Sequence, residues 1–349
     1  MSTRLIRFLV PGTGRRFRCG GLSVELQTAR LMAGLCATEV VTYRQRQDDL
    51  AFLGDCLQRE EPDRSILWIV SWGFDVPALI RRLRGHRVAY HAHSSGYGFD
   101  LPAGVPVLAV SRNTLGYWGA RAPRNPLCLV PNALADSWLE RGARGKEGVR
   151  SIDVLVQARK SSPYVLNQLV PALQRAGLRV EVQSGWVDDL VERFNQSTVY
   201  LYDSADYWRG RGVTEGFGLP PLEALACGCV VFSSLNHALA DYADPGQTVH
   251  QIGFGRLSFD LERIKSAVEA PQRWRPSAVR LEVLLQTCSE ASLRERWRDV
   301  LAELNAFEAA AGPDLISAPT WRLRLNQTRS RLQRVANRFP GWPRVSRQR

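Results

Sequence analysis

The chain has 349 residues, of which 45% are apolar, and a formal net charge of +12. This length argues against a single compact core and predicts two globular domains; no apolar run approaches the roughly 20 residues of a membrane span. Nine of the net positive charges fall at 322–349, where there is no acid, so the basic composition does not predict nucleic-acid binding. Seven scattered cysteines, and a segment 1–10 unlike a signal peptide, predict a cytoplasmic protein with reduced thiols.

The first half alternates short apolar runs with amphipathic stretches, which is typical of a parallel sheet flanked by helices. The predicted strands are 5–10, 37–43, 66–71, 87–92, 105–110 and 127–130. After the first strand, a glycine-rich turn with three arginines leads into a helical pattern at 22–34. Gly20 and Gly21 precede this helix, where backbone amides can meet an anion or an acceptor. By themselves they are equally compatible with a simple connection.

Two histidines, His91 and His93, stand two residues apart at the end of the strand predicted at 87–92. We expect the two rings to point to opposite faces, so that only one faces a cleft. Opposite directions also argue against a shared metal ion, whose ligands must converge. Two interpretations of His93 stay open: a ligand contact and a structural histidine. The glycine-rich segment 94–99 predicts a loop beside it.

The second half begins after a glycine-rich linker at 139–151 and repeats the alternating pattern. Its predicted strands are 152–157, 178–182, 199–203, 229–233 and 248–252, and its predicted helices include 188–195, 257–268 and 278–310. Arg159 and Lys160 follow the first of these strands, at the sheet edge that α/β proteins use for ligands. These cations either stabilise a negatively charged leaving group or lie in a solvated loop.

The run 214–228, TEGFGLPPLEALACG, sets Glu215 and Glu223 on either side of a glycine turn that opens a helix. Gly216 and Gly218 carry no Cβ and allow a ligand to approach the main chain closely. Pro220 suits the first helical position. Both carboxylates can then face one pocket, where they would accept hydrogen bonds from sugar hydroxyls.

The start of this helix also predicts a binding site for a phosphate. The helix start has unpaired amides and a partial positive charge, and both lie beside Phe217, Gly218 and Leu219. At the other end, Gly228 is a typical helix-ending residue. A solvated Gly-Pro loop before a core helix is the competing interpretation.

This run resembles the E-x7-E signature and the surrounding EGFGLP block of retaining GT-B glycosyltransferases, in particular glycosyltransferase family 4 (glycosyl transferases group 1). The segments VLAVSR at 107–112 and VPNA at 130–133 resemble further elements of that family, with alanine in place of a usual glycine at 133. The resemblance implies an α/β, GT-B fold: two Rossmann-like domains whose parallel sheets face an interdomain cleft. We assign 1–145 to an acceptor domain, 146–310 to a nucleotide-sugar-binding domain and 311–349 to a basic tail.

The resemblance also implies roles for individual residues. Glu223 would bind the ribose of the donor, and Glu215 the donor sugar. His93 would lie close to the transferred sugar. The amides of Phe217, Gly218 and Leu219 would hold the diphosphate and the sugar. Gly20 and Gly21 would contact the donor phosphate or the acceptor. Arg159 and Lys160 would stabilise the leaving group. The later lysine usual in the family is missing before Lys265, so Lys160 would take its place. No metal and no cofactor are implied; the nucleoside-diphosphate sugar is the donor substrate.

The predicted function is a retaining, metal-independent glycosyltransferase that acts in cell-surface polysaccharide or glycoconjugate synthesis. The alternatives are a GT-B epimerase or hydrolase of sugar nucleotides, and a non-catalytic membrane- or polyanion-binding protein. The tail at 321–339 shows a helical apolar stripe beside arginines. It would either bind an anionic membrane surface through 322–349, on the inner membrane face, or pack on the first domain. The nucleotide base, the sugar, the acceptor and the oligomeric state are not specified by the sequence.

Overall fold

The computed structural model describes residues 2–71, 73–146, 148–185 and 187–310, together with Leu325 and Thr328. Within these residues the chain forms two parallel β-sheets with helices around them, one of seven strands and one of five. No helix in the described residues combines the length and the apolarity that crossing a membrane requires. The basic tail predicted at 311–349 lies outside the described residues, apart from Leu325 and Thr328, which are helical.

The seven-stranded sheet is built from the first 130 residues. Its strand order is β3-β2-β1-β4-β5-β6-β7, and all of its pairings are parallel. The strands are β1 (Leu5–Val10), β2 (Ala37–Thr42), β3 (Ala51–Phe52), β4 (Ile66–Val70), β5 (Arg87–Ala92), β6 (Val107–Ala109) and β7 (Leu127–Leu129).

The five-stranded sheet follows in sequence, with strand order β12-β11-β10-β8-β9 and parallel pairings throughout. Its central strand is buried along its whole length, as expected for a parallel strand covered by helices on both faces. The strands are β8 (Ile152–Gln157), β9 (Val180–Gln183), β10 (Ser197–Tyr202), β11 (Val230–Ser233) and β12 (His250–Gln251).

Twelve α-helices connect and cover the described strands. They are α1 (Gly20–Met32), α2 (Leu53–Arg59), α3 (Val76–Arg82), α4 (Arg112–Arg121), α5 (Asp136–Arg141), α6 (Val170–Arg175), α7 (Leu190–Asn195), α8 (Ala205–Arg211), α9 (Leu219–Ala226), α10 (Leu257–Glu269), α11 (Ala278–Thr287) and α12 (Glu290–Ala310). Ser111 caps α4 by accepting a hydrogen bond from the Thr114 N–H.

The predicted α/β architecture with two parallel sheets is confirmed, and each of the eleven predicted strands overlaps an observed one. The sequence analysis missed β3, whose two residues are too few to show an alternating pattern. One other difference is local: the helical stretch predicted at 278–310 is divided into α11 and α12.

The last described helix, α12, returns to the first sheet. Its residues Leu293, Trp297 and Val300 belong to one buried cluster with Phe8 of β1 and Met32 of α1. The Trp297 ring is fully buried and meets the Phe8 ring edge-on at 6.0 Å. Residues from the far end of the sequence thus complete the core of the first sheet.

We expect Trp297→Ala to lower the free energy of unfolding by about 3–5 kcal/mol, because it leaves a large cavity in this cluster. Urea unfolding followed by circular dichroism measures the change. Arg298→Ala is the matched control on the same helix, since Arg298 is exposed, and should shift stability by less than about 0.5 kcal/mol. Equal effects of the two substitutions would contradict the packing described here.

Candidate active site

The two halves of the chain meet where the loop after β5 touches the loop before α9. The Ser94 hydroxyl donates to the Thr214 carbonyl at 2.6 Å. The Ser95 N–H donates to the Thr214 hydroxyl at 3.1 Å, and the Thr214 N–H donates to the Ser95 carbonyl at 3.2 Å. Both loops lie at the carboxyl ends of parallel strands, the edge at which α/β proteins bind ligands. The contact therefore brings the ligand-binding edges of the two sheets together.

Gly216 is required at this contact for a reason the sequence did not reveal. A Cβ on Gly216 would lie 1.4 Å from the His93 carbonyl oxygen, and one on Gly96 would lie 2.4 Å from the Gly212 carbonyl. The main chain that approaches Gly216 is therefore the other half of the protein, not the ligand that the sequence analysis expected. Gly218 has a φ of 83°, which favours glycine, and a Cβ there would strike the Leu239 side chain at 2.4 Å.

Glu215 is the centre of a buried hydrogen-bonded cluster. Its side chain accepts from the Lys160 ammonium at 3.2 Å, from the Tyr202 hydroxyl at 2.6 Å and from the Trp208 indole N–H at 2.7 Å. The residue is only 4% exposed. A buried carboxylate is costly unless it is paired and hydrogen-bonded, and here both oxygens are satisfied. Lys160 also lies over the Trp208 ring, with its nitrogen 4.9 Å from the ring centre.

The backbone around Glu215 is strained. Among the described residues, Lys160 (φ 74°) and His237 (φ 54°) are the only ones other than glycine with positive φ. Both contact Glu215: Lys160 pairs with the carboxylate, and His237 Nδ1 accepts a hydrogen bond from the Glu215 N–H at 3.2 Å. Positive φ in such residues costs of order 1–3 kcal/mol and is found preferentially at functional sites.

Glu223 differs from Glu215 in having an unpaired carboxyl group. It lies in the second turn of α9, and no described residue makes a hydrogen bond or ion pair with its side chain. Burial raises the pKa of Glu223 to about 7, and the charge of Lys160 opposes that rise. A partly buried carboxyl group without a protein partner is available to a ligand hydroxyl.

The amides before α9 are also available. The helix begins at Leu219, one residue earlier than predicted, and Pro220 and Pro221 follow within its first turn. Because proline has no N–H, the donors at this end are limited to Leu219 and the residues before it. None of the described residues accepts a hydrogen bond from the N–H groups of Phe217, Gly218 or Leu219. The Phe217 ring is buried against Tyr242, so only its backbone can serve a ligand.

The prediction that His91 and His93 point to opposite faces was wrong. His91 Nδ1 and His93 Nε2 lie 3.0 Å and 2.9 Å from the same oxygen of Glu25, and the ring centres are 4.3 Å apart. Side chains alternate along a strand, so residues two apart share a face, and His93 follows that pattern one residue beyond the end of β5. The two rings therefore converge on one carboxylate.

Glu25 is a site residue that the sequence analysis missed. It lies on α1 and is 1% exposed. Burial acts to raise the pKa of this carboxyl, but the charges and hydrogen bonds of His91 and His93 outweigh burial and hold the pKa well below its ordinary value. Burial, followed by the charge of His91, lowers the pKa of His93. The three side chains offer ligand atoms within 4.8 Å of one another, and direct hydrogen bonds account for that closeness.

The other predicted residues are distributed around this centre. Gly20 and Gly21 open α1 as expected, and a Cβ on Gly20 would meet nothing within 4 Å, so the helix start faces open space. Arg159 is exposed and makes no hydrogen bond or ion pair with the described residues of the cluster, whereas Lys160 reaches Glu215. Tyr202 and His237 were not singled out from sequence, because aromatic and histidine residues at strand and helix ends carry no distinctive spacing.

Comparison with known proteins finds a family model that matches the part of the chain around Glu215 and Glu223. The family model described as glycosyl transferases group 1 matches residues 173–255, which include the glutamate pair and the start of α9. No curated protein sequence matches the chain.

Solved structures resemble the chain over most of its length. Sucrose-phosphate synthase from Thermosynechococcus elongatus matches with a TM-score of 0.62 and 14% identity, covering 87% of this chain and 99% of that one. A glycosyltransferase from Rickettsia africae has a TM-score of 0.62 and 10% identity, with 87% and 99% covered. HepE from Anabaena, in complex with UDP and glucose, has a TM-score of 0.60 and 15% identity, with 86% and 100% covered. At these identities the likeness shows the fold alone, and that fold is GT-B.

We expect Gly216→Ala to separate the two loops, because the new Cβ would overlap the His93 carbonyl. The free energy of unfolding should fall by about 1–3 kcal/mol, and the amide hydrogens of Ser95 and Thr214 should exchange faster with solvent. Hydrogen exchange and urea unfolding measure the two effects. Gly210→Ala is the control, since a Cβ there meets nothing within 4 Å. Unchanged exchange at both amides in Gly216→Ala would show that the loops do not depend on this glycine.

A second prediction concerns Glu223 and pH. With its pKa raised to about 7, the folded protein holds this proton more tightly than the unfolded chain, so the ionised group destabilises the fold as pH rises from about 4.5 to about 7. Glu223→Gln should therefore be more stable than wild type at pH 8, by up to about 3 kcal/mol, and similar to it near pH 4.5. Urea unfolding at both pH values tests this. Glu262→Gln, an exposed carboxylate on α10, should show no such difference.

Proposed function

We propose that the protein is a glycosyltransferase that moves a sugar from a nucleoside-diphosphate donor to an acceptor hydroxyl, with retention of configuration. The observation that carries the proposal is the pairing of an unsatisfied carboxyl group, Glu223, with three unpaired amides at the start of the same helix. A ribose needs an acceptor for its hydroxyls, and a diphosphate needs donors. The family match over 173–255 and the GT-B fold support this assignment.

In this proposal the donor lies against the second sheet. Glu223 binds the ribose hydroxyls, and the amides of Phe217, Gly218 and Leu219 bind the diphosphate, aided by the partial positive charge of α9. The positive end of the helix and the Lys160 ammonium stabilise the charge that develops on the leaving diphosphate. UDP is the first nucleotide to test, since the structures of HepE and of a pneumococcal O-GlcNAc transferase both contain it.

The two glutamates would have different tasks. Glu223 is free to bind a ligand, whereas Glu215 is already satisfied by Lys160, Tyr202 and Trp208. We therefore assign Glu215 the positioning of Lys160 and of the loop against the donor sugar. A preorganised charge of this kind costs no reorganisation during the reaction.

The acceptor would approach from the first sheet. His93 lies where its main chain meets Gly216, and its ring is held by Glu25. Gly20 and Gly21, at the open start of α1, would meet the acceptor or the donor phosphate. We propose residues 1–145 as the acceptor half and 146–310 as the donor half. Contact between the two loops excludes water from the reacting sugar, which protects it from hydrolysis.

We further propose that the reaction needs no metal ion, because Lys160 and the α9 amides supply the positive charge beside the diphosphate. The product would be a cell-surface polysaccharide or glycoconjugate. The arginines of 322–349 would hold the enzyme at an anionic membrane surface on the cytoplasmic side.

The test combines donor binding with transfer. UDP and UDP-sugars should raise the melting temperature of the protein, because they bind only the native state. Glu223→Gln should weaken that binding about tenfold or more, since it replaces a charged acceptor of ribose hydroxyls by a neutral amide. Lys160→Met should lower transfer by about 10²-fold or more, through lost leaving-group stabilisation. Arg159→Met compares the neighbouring cation: because Arg159 is exposed and lacks the contact with Glu215, transfer should fall less than in Lys160→Met.

Two outcomes would count against the proposal. If no nucleotide or nucleotide sugar shifts the melting temperature, the donor site is wrongly placed. If donor is consumed at the same rate with and without acceptor, hydrolysis or epimerisation is the activity. Anomeric analysis of the product by NMR decides the proposed retention.

A further inference from the structure

The loops after β1, β2, β4 and β5 form a continuous surface at the carboxyl edge of the first sheet. We call it the first-sheet wall and define it as residues 11–19, 43–49, 73–75 and 93–100. The first two loops are joined by Thr13 and Gln47, whose amide donates to the Thr13 hydroxyl at 2.8 Å. The Tyr43 hydroxyl donates to Asp75 at 2.7 Å and so connects the second loop to the third.

Aromatic contacts extend the wall toward the candidate site. The Phe74 and Tyr97 rings meet edge to face, with centres 4.9 Å apart. Gly73 permits this contact, because a Cβ there would lie 2.6 Å from the Tyr97 ring. Tyr97 belongs to the same loop as Ser95, which bonds to Thr214 beside Glu215. The wall is therefore continuous with the acceptor side of the proposed site.

The first loop of the wall carries unneutralised positive charge. It contains Arg15, Arg16 and Arg18 and no acid. Arg15 and Arg16 are exposed, and neither belongs to an ion pair with any residue that the structure describes. Positive charge without a protein counter-ion, beside a ligand-binding edge, attracts an anion.

The neighbouring loop shows that this is a local difference and not a general excess of arginine. Arg44 pairs with Asp75 at 2.6 Å, and Arg46 pairs with Asp55. The cations on both loops lie at the same sheet edge, yet Arg15 and Arg16 after β1 have no carboxylate partner among the described residues. The positive charge of the wall that no described carboxylate neutralises thus lies at Arg15 and Arg16.

Phe74 adds an apolar surface to this charge. Its side chain is 75% exposed, among the most exposed large apolar residues of the described chain, although its edge is fixed by Tyr97. A rigid exposed aromatic face at a binding edge suits the apolar face of a sugar ring, and it loses little conformational freedom when it binds.

We infer that the acceptor is a sugar that carries an anionic group, phosphate or carboxylate. Arg15 and Arg16 bind the anion through charge-assisted hydrogen bonds, for which the guanidinium fork is well shaped. The Phe74 ring packs against the sugar. This inference rests on the proposed function, because it specifies the acceptor of that reaction.

The test measures acceptor binding while UDP occupies the proposed donor site, so that an anionic probe cannot bind there. Glucose 6-phosphate, glucuronate and methyl glucoside are titrated by isothermal calorimetry into the UDP-saturated protein. At least one anionic probe should bind about tenfold or more tightly than methyl glucoside, and raising the salt concentration should weaken only the anionic probes. The stronger of the two anions identifies phosphate or carboxylate.

Variants assign the effect to the wall. Arg15→Gln with Arg16→Gln should abolish the preference for the anion while leaving methyl glucoside and UDP binding unchanged. Phe74→Ala should weaken all three sugars. Arg46→Gln is the matched control, because Arg46 is paired with Asp55, and it should keep the preference. Equal affinity of wild type for glucose 6-phosphate, glucuronate and methyl glucoside overturns the inference, as does an unchanged preference in the double variant. Failure of UDP itself to bind would instead refute the proposed donor site.

Discussion

The buried carboxylate of Glu215 is the interaction on which the arrangement of the site depends. Taking a carboxylate out of water costs several kcal/mol unless donors replace the lost hydration. The replacements come from three separate elements: Lys160 after β8, Tyr202 at the end of β10 and Trp208 on α8. Each element must reach the same point, so one anion fixes the relative positions of the loops around the proposed donor. The strained φ of Lys160 is the local cost of that arrangement.

The same run of chain also fixes how the two halves meet. Gly216 follows Glu215 directly, and its missing Cβ is where the His93 carbonyl lies. The Glu215 cluster therefore adjoins the loop after β5 through backbone contact, without an intervening side chain. Behind that loop, Glu25 holds the His93 ring from α1. These short-range contacts fix the two halves of the candidate site relative to each other.

The sequence predicted the fold well because its main signals are local. Strands such as β1 and β5 are mostly apolar runs, and their bounds were predicted to the residue. The helix at α9 was recognisable from glycine and proline chemistry, although it starts one residue earlier than Pro220 suggested. The site was predicted only in part. Glu215 and Glu223 were found through a signature, whereas Glu25 is 66 residues from His91 and no spacing rule joins them. The expectation for the two histidines failed because residues two apart along a strand share a face, as His91 and His93 do at Glu25.

The contrast between the two signature glutamates shows what the site is preorganised for. The Glu215 carboxylate already has its hydrogen bonds in the free protein, and these bonds hold Lys160 in position. Glu223 has none, and its pKa of about 7 reflects a carboxyl group that neither water nor protein fully stabilises. A ligand with neighbouring hydroxyls would supply the missing hydrogen bonds and favour the ionised form, since hydrogen bonds donated to a carboxylate lower its pKa. The destabilising effect of the Glu223 carboxyl group is thus confined to the ligand-free protein. A ribose that donated the missing hydrogen bonds would remove this effect, and the donor would bind more tightly as a result.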